Sequence, residues 1–247
     1  MFEQQIERFI KRHNYTSLTP RAALIDMDGT LYDSMPRHAQ AWLRMVSEIG
    51  IDATAEEFFM YEGRTGASTI NILFNRAFGR DATDEEIKEL YHRKTVYFSE
   101  LPDVSLMPGA QKLLAYLQKI GMKRVLVTGS GQSSLINRLE KDFPGAFPVD
   151  MRITARDVVH GKPSPEPYLA AMRKAEVTPD KSIVIENAPL GVEAGDAAGA
   201  FTIGVTTRPV PREVMEEAGA AIVFPDMPAL AEHMPLLLNE ISQFSKN

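Results

Sequence analysis

The sequence predicts an α/β fold, a parallel sheet with helices on both faces, interrupted by an inserted α-helical domain. Three observations carry this expectation. Short apolar runs rich in β-branched residues recur as AALIDM, RVLVTG, SIVIEN, FTIGVTT and AAIVFP. They are continuously hydrophobic rather than alternating, as strands buried on both faces are. Helical stretches separate them, such as residues 109–121 (GAQKLLAYLQKIG) and 165–177 (PEPYLAAMRKAEV), and strands alternating with helices build a parallel sheet. Residues 36–103 break that alternation with helical patterns alone.

Along the chain the first element is a helix. Phe2, Ile6, Phe9 and Ile10 fall on one face of it, which predicts a short amphipathic helix packed on the body. Its charges exclude a signal peptide, and it is too short and too weakly basic for a membrane-surface helix. The run AALIDM follows and ends by presenting Asp26 and Asp28, then Gly29 and Thr30. The insert comes directly after this strand as PRHAQAWLRMVSEIG, TAEEFFMYEG, TGASTINILFNRAFG and TDEEIKELYHRKTVYFSEL. Thr83 with Glu86 three residues later is a capping-box start for the last of these. Such an insert lies over the carboxyl edge of the sheet, with Pro36 and residues 101–109 as hinges, and can close over a site and exclude water. The expected core is residues 1–34 and 104–247, with 1–20 as a helical extension, and the expected insert is residues 35–103.

Asp26, Thr128 and Glu186 each end one of the apolar runs, and ligands of open α/β sheets bind outside the carboxyl ends of the strands. Asp28-Gly29 alone is ordinary turn chemistry. A calcium loop fails, because Thr30 and Arg37 stand at its fifth and twelfth positions. Two carboxylates can instead serve phosphoryl transfer, one attacking phosphorus and the other moving the proton. Facing an anionic phosphate, they require Mg²⁺ and positive groups. The rest of the chain offers both. VTGSG supplies the Thr128 hydroxyl and the amides of Gly129 and Ser130 to cradle an oxygen. HGKPSPEPY holds Lys162 between glycine and proline, and Glu186 with Asn187 gives hard oxygen ligands for Mg²⁺. GSGQSS lacks the third glycine of a dinucleotide fingerprint, since residue 134 is serine.

Composition sets the remaining bounds. At 247 residues the chain is long enough for one large domain or a core with an insert. A net charge of -6 argues against nucleic-acid binding, although a local Lys or Arg pocket can still take a small anion. Without cysteine there is no disulfide, thiolate metal site or cysteine nucleophile. No run approaches the about 18 apolar residues of a transmembrane span. A cytoplasmic protein is expected, with no membrane partner.

The order Asp-x-Asp-Gly-Thr, strand-end threonine, loop lysine and strand-end acid resembles the motifs of the haloacid dehalogenase superfamily, over nearly the whole chain from about Ala22. The resemblance implies a Rossmann-like core, a helical cap of the β-phosphoglucomutase-like branch, and Mg²⁺-dependent phosphatase or phosphotransferase activity on a small phosphorylated substrate. It makes Asp26 the nucleophile, Asp28 the acid/base, Thr128 and Lys162 phosphate binders. The Mg²⁺ environment becomes Asp26, the Asp28 carbonyl, Glu186 and Asn187. Many relatives carry aspartate where Asn187 stands, so Glu62 in the cap loop YEGRTGAST is the candidate extra acid. Glu62, Arg64 and Thr65 would face the core, with His38 and Lys94 near Asp28. EGRTGASTIN with VIENAPLGVEAG looks most like members that hydrolyse inorganic pyrophosphate; β-phosphoglucomutase activity and a non-catalytic phosphate-binding protein are the alternatives. A swinging lid suits a monomer.

Overall fold

The computed structural model describes residues 1–131, 133–207 and 210–244. Helix α1 (Glu3–His13) precedes strand β1 (Ala22–Ile25); Phe2, Ile6 and Phe9 are buried, as the apolar face of this helix requires. After β1 the chain enters helices α2 (Met35–Glu48), α3 (Ala55–Met60), α4 (Gly66–Phe78) and α5 (Asp84–Glu100). It then resumes the alternation with α6 (Ala110–Lys119), β2 (Lys123–Val127), α7 (Ser133–Asp142) and β3 (Arg152–Ile153). The second half runs α8 (Glu166–Ala175), β4 (Ser182–Glu186), α9 (Pro189–Ala197), β5 (Phe201–Val205), α10 (Arg212–Glu217), β6 (Ile222–Phe224) and α11 (Met227–Phe244). The sheet has six strands in the order β3-β2-β1-β4-β5-β6, and every pairing is parallel.

The continuous hydrophobicity of the strands has a direct reading. Ala23 and Ile25 of β1 join one apolar cluster, with α1, α6 and α11, while Ala22 and Leu24 join the cluster on the opposite face under α8. Each of these four residues faces a covered side, which is why the strand is apolar at every position. At about 25 cal/mol per Å² of apolar surface removed from water, these two layers dominate the stability of the core. The helices of the insert bury a separate cluster around Trp42, Met45, Phe58, Ile70, Leu73 and Leu90.

Two starts of insert helices are set locally. Thr83 and Glu86 form the capping box the sequence predicts, and Thr54 with Glu57 forms a second one at α3. Pro36 is not a hinge: it lies in the first turn of α2, where its missing N–H costs nothing. The crossings between insert and core sit just before it and at its return. There Tyr32 bridges Leu106 in antiparallel fashion, Asp33 N–H donates to Ser105 at 2.9 Å and Met107 N–H to Leu31 at 2.8 Å. β3 was not legible as a strand because only two residues pair, and only Ile153 is buried. Among the described residues, no helix is long and apolar enough to cross a membrane.

Candidate active site

The tip of β1 lies between β2 and β4, so the residues that end these three strands converge. Asp26 is fixed by its own N–H, which donates to Ile185 O at 3.0 Å. The Lys162 ammonium, fully buried, donates to Asp26 Oδ1 at 2.6 Å, to Glu186 Oε1 at 2.5 Å and to Val127 O at 3.1 Å. Burial opposes its charge, but Asp26 and Glu186 outweigh that and hold its pKa above the ordinary lysine value. Glu186 spends all its remaining capacity inside the protein. Tyr168 donates to Oε1 at 2.7 Å, and the amides of Asn187 and Ala188 donate to Oε2 at 3.0 and 3.1 Å. Glu186, expected at a metal, therefore stands here as the partner that positions Lys162. A side chain on Gly191 would overlap this carboxylate, so the small residues opening α9 are what let Glu186 sit at the strand tip.

The two aspartates sit in opposite environments. Burial, then Glu186, pushes the Asp26 carboxyl up, with Lys162 opposing. Asp28 is also buried, but His38, Ser34 and Lys94 more than offset this and hold it below the usual carboxylate range. Ser34 donates to Asp28 Oδ1 at 2.6 Å, and His38 Nε2 lies 2.9 Å from the same oxygen. Lys94 Nζ stands 2.7 Å from His38 Nδ1. Burial and Lys94 depress the His38 pKa, and burial lowers that of Lys94 to about 7. One proton arrangement satisfies all three groups: Lys94 as ammonium donates to Nδ1, neutral His38 donates through Nε2, and Asp28 is the carboxylate. His38 is clamped by Phe98 at a centroid distance of 4.3 Å.

The loop before α4 reaches down onto the strand tips. Asn187 Nδ2 donates to Glu62 Oε1 at 2.8 Å, while Asn187 Oδ1 accepts from Thr30 at 2.9 Å. Glu62 is buried, and burial with the charges of Asp26, Glu186 and Asp28 pushes its pKa well up against the Asn187 hydrogen bond. A Cβ on Gly129 would lie 2.5 Å from Gly63 O and 2.9 Å from Arg64 O, so only glycine lets the phosphate loop touch the cap loop. Arg64 donates weakly to Ser68 at 3.4 Å and leaves its Nε buried with no hydrogen-bond partner.

Between these groups lies a cavity of about 60 Å³, lined by Asp26, Asp28, His38, Glu62, Arg64, Lys94, Thr128, Gly129 and Ser130 among others. The expected residues are largely brought together, with three differences. The Thr65 hydroxyl caps α4 by accepting from Ser68 N, so it is taken by the helix. The Ser130 amide donates to Thr128 Oγ1 at 3.0 Å rather than standing open. Lys162 lies behind Asp26, off the cavity wall. Sequence reasoning missed the wall formed by Met35, Trp42, Phe58, Tyr61, Thr69 and Tyr91, and missed Tyr168. Aromatic residues spaced along amphipathic helices look the same whether they fill a core or face a ligand.

The donor set fits a divalent cation such as Mg²⁺. Asp26, Asp28, Glu62 and Asn187 offer only hard oxygens, and the raised carboxyls of Asp26 and Glu62 mark a buried cluster short of positive charge. Among the described residues no three acidic or histidine side chains already converge as a closed cation site.

Known proteins share this fold. The profile of the haloacid dehalogenase-like hydrolases matches residues 20–199. Hexitol phosphatase A of Escherichia coli (strain K12) is 31% identical, over 74% of this chain and 81% of its own length. The phosphorylated carbohydrates phosphatase of Thermotoga maritima is 30% identical, over 83% and 94%. A solved structure from Bacteroides vulgatus, provisionally described as a β-phosphoglucomutase, is 44% identical and superposes with a TM-score of 0.93, covering 100% of this chain and 99% of that one. The chain belongs to the haloacid dehalogenase-like hydrolases, as an enzyme of their β-phosphoglucomutase-like branch.

Proposed function

We propose that this protein is a Mg²⁺-dependent phosphohydrolase that works through an aspartyl phosphate on Asp26, with inorganic pyrophosphate as the favoured substrate. The observation that carries the substrate choice is size. The cavity holds about 60 Å³ and opens to solvent on one side, a small space beside the roughly 300 Å³ at which pockets for drug-sized ligands begin. A diphosphate is more compact than any hexose phosphate. Arg64 supports the same reading, since its unpartnered buried Nε can take an oxygen of the leaving phosphate.

In this reading the Asp26 carboxylate attacks phosphorus as the bond to the leaving oxygen breaks. Lys162 opposes the burial and the Glu186 charge that push the Asp26 carboxyl up, and neutralises the charge behind it. An arriving phosphate places a like charge beside Asp28 and raises its proton affinity, so that Asp28 takes up a proton from solvent as the substrate enters and then passes it to the leaving oxygen. Asp28 then takes a proton from the water that releases phosphate from Asp26. His38 and Lys94 hold Asp28 in position throughout, and residues 35–103 move as the cap that admits and encloses the substrate. Asp26, the Asp28 carbonyl and Asn187, with Glu62 beside them, would hold Mg²⁺, which would supply charge neutralisation between the carboxylates and the phosphate.

A second reading has its own support. The relatives named above act on hexitol phosphates and phosphorylated carbohydrates, and Trp42 and Phe58 line the cavity as an apolar wall suited to a carbon skeleton. The deciding assay compares kcat/KM with Mg²⁺ for pyrophosphate, hexitol phosphates, hexose 6-phosphates and β-glucose 1-phosphate. Pyrophosphate is expected to lead by at least about tenfold, a difference of about 1.4 kcal/mol. A sugar or polyol phosphate turned over with higher kcat/KM would overturn the pyrophosphate assignment, and glucose 6-phosphate formed from β-glucose 1-phosphate would establish mutase chemistry instead.

A further inference from the structure

Gly29 is the pliant link of the turn that carries Asp28 and Thr30. Its φ is +83°, and a Cβ there would fall 2.1 Å from Asn187 Nδ2 and 2.7 Å from Glu62 Oε1. Glycine is required at this point, yet glycine is also the residue whose backbone rotates most freely. The turn therefore has to be held through the two peptides that flank it. The N–H of Gly29 donates to Tyr32 O at 2.7 Å, which fixes the plane of the Asp28–Gly29 peptide. The Gly29 carbonyl accepts from the Thr207 hydroxyl, also at 2.7 Å, which fixes the plane of the next one.

Thr207 comes from the loop after β5, 178 positions away along the chain. That loop is itself tied down. Thr206 N–H donates to Phe224 O at 3.0 Å, the Thr206 hydroxyl to Pro225 O at 3.2 Å, and Thr207 N–H to Val205 O at 2.9 Å. Thr207 thus stands as a post at the ends of β5 and β6, whereas Tyr32 lies at the outgoing crossing to the insert, where it bridges Leu106. One flank of the turn is held from the crossing and the other from the sheet.

We propose that Thr207 is a positioning residue for the reaction at Asp26, anchoring the Gly29 carbonyl to the sheet so that Asp28 keeps its place beside Asp26. The inference rests on the reading that this turn carries the chemistry, and it holds for any phosphate compound. Thr207 does not line the cavity, so it acts through Gly29 rather than on the substrate. Without its hydroxyl the Gly29 backbone can rotate. Asp28, and Thr30 with its bond to Asn187, then spend less time in the assembled geometry. The cap and the phosphate loop still bind substrate, so the loss falls on kcat rather than KM.

The test is steady-state hydrolysis of p-nitrophenyl phosphate with Mg²⁺ by the full chain, for wild type, Thr207→Val and Thr207→Ser. Valine keeps the branched shape without the donor, and serine keeps the donor. Thr207→Val is expected to lower kcat by about tenfold or more, as a small misplacement of reacting groups does, with KM within about twofold of wild type. Thr207→Ser is expected to stay within about threefold of wild-type kcat, because its hydroxyl can still donate. Equal kcat in wild type and Thr207→Val, or a loss that Thr207→Ser shares in full, overturns the proposal. A change confined to the melting temperature also overturns it, since that marks a purely structural bond. If Thr207→Val does not fold, Thr207→Ala read against Thr207→Ser makes the same comparison. Asp26→Asn in the same assay separates the two readings. Turnover that survives in Asp26→Asn removes the reading of the turn and the proposal together, whereas an inactive Asp26→Asn beside an unaffected Thr207→Val overturns the proposal alone.

Discussion

Asp26 and Asp28 are two residues apart, yet burial and Glu186 push Asp26 up despite Lys162, whereas His38, Ser34 and Lys94 hold Asp28 down. The proposed function gives the proton work to Asp28, so replacing it should cost what a positioned acid/base is worth. Asp28→Asn is expected to lower kcat by about 10²–10⁴-fold while leaving the fold intact, read from steady-state kinetics and thermal unfolding. Glu62 gives a finer test, because its hydrogen bond to Asn187 puts it beside the oxygens assigned to Mg²⁺. Glu62→Gln should raise the Mg²⁺ concentration for half-maximal activity by about 10–100-fold, with kcat at saturating metal changed much less. A fall in kcat at an unchanged Mg²⁺ requirement would instead put Glu62 against the substrate. That Asp26, Asp28, Thr128, Lys162 and Glu186 meet was legible, because strand ends and a Pro-bounded loop fix where such side chains point; that Glu186 is spent on Lys162, Tyr168 and two amides was not. It misplaced Thr65, whose hydroxyl had two possible uses, substrate or helix cap, and the local backbone took it.

Elements follow the same division between local and long-range signals. The strands buried on both faces could be read from their uninterrupted apolar runs, and the Thr83 capping box from its spacing, because both are written within a few residues. β3 and the outgoing crossing before Pro36 could not, since they depend on pairings such as Tyr32 with Leu106 across 74 positions of chain; the return crossing falls within the expected hinge at 101–109. Thr83→Ala removes a cap remote from the cavity and should destabilise the protein by about 1 kcal/mol, with kcat/KM unchanged; urea unfolding and a parallel assay check it. Gly129→Ala is the opposite case. Its Cβ would press on the carbonyls of Gly63 and Arg64, so the cap loop must lift away from β2. Activity should fall by at least about tenfold while the melting temperature stays near that of wild type. A variant with normal activity would mean that the two loops separate during turnover without consequence.

At the scale of the whole molecule, the buried carboxylates couple folding to metal and pH. Burial raises Asp26 and Glu62 above their ordinary values, so the folded state keeps protons that the unfolded chain has already released above about pH 4–4.5. In metal-free protein their contribution is fully present below that range and is lost as pH rises toward their folded values. Lys94 acts in the other direction: its folded value of about 7 makes stability rise between there and the ordinary lysine range. The difference between metal-loaded and metal-free protein isolates the carboxylates. The gain in melting temperature on adding Mg²⁺ should be larger at about pH 8 than at about pH 5, because protons compete with the cation; equal gains would separate these carboxylates from metal binding. The fold was legible as a class and so was an insert over the carboxyl edge of the sheet, whereas the particular contacts between them, such as Asn187 with Glu62, arise from pairings that no single stretch encodes. The paired crossings at Tyr32 and Leu106 carry one last implication. Two strands of chain that cross side by side and are hydrogen-bonded to each other define a line, and a body held along a line can rotate but cannot slide. If the insert opens as the proposed cap, it should turn about that line, so that Glu62, Arg64, His38 and Lys94 would leave and return together and the site would be assembled or dismantled as a whole.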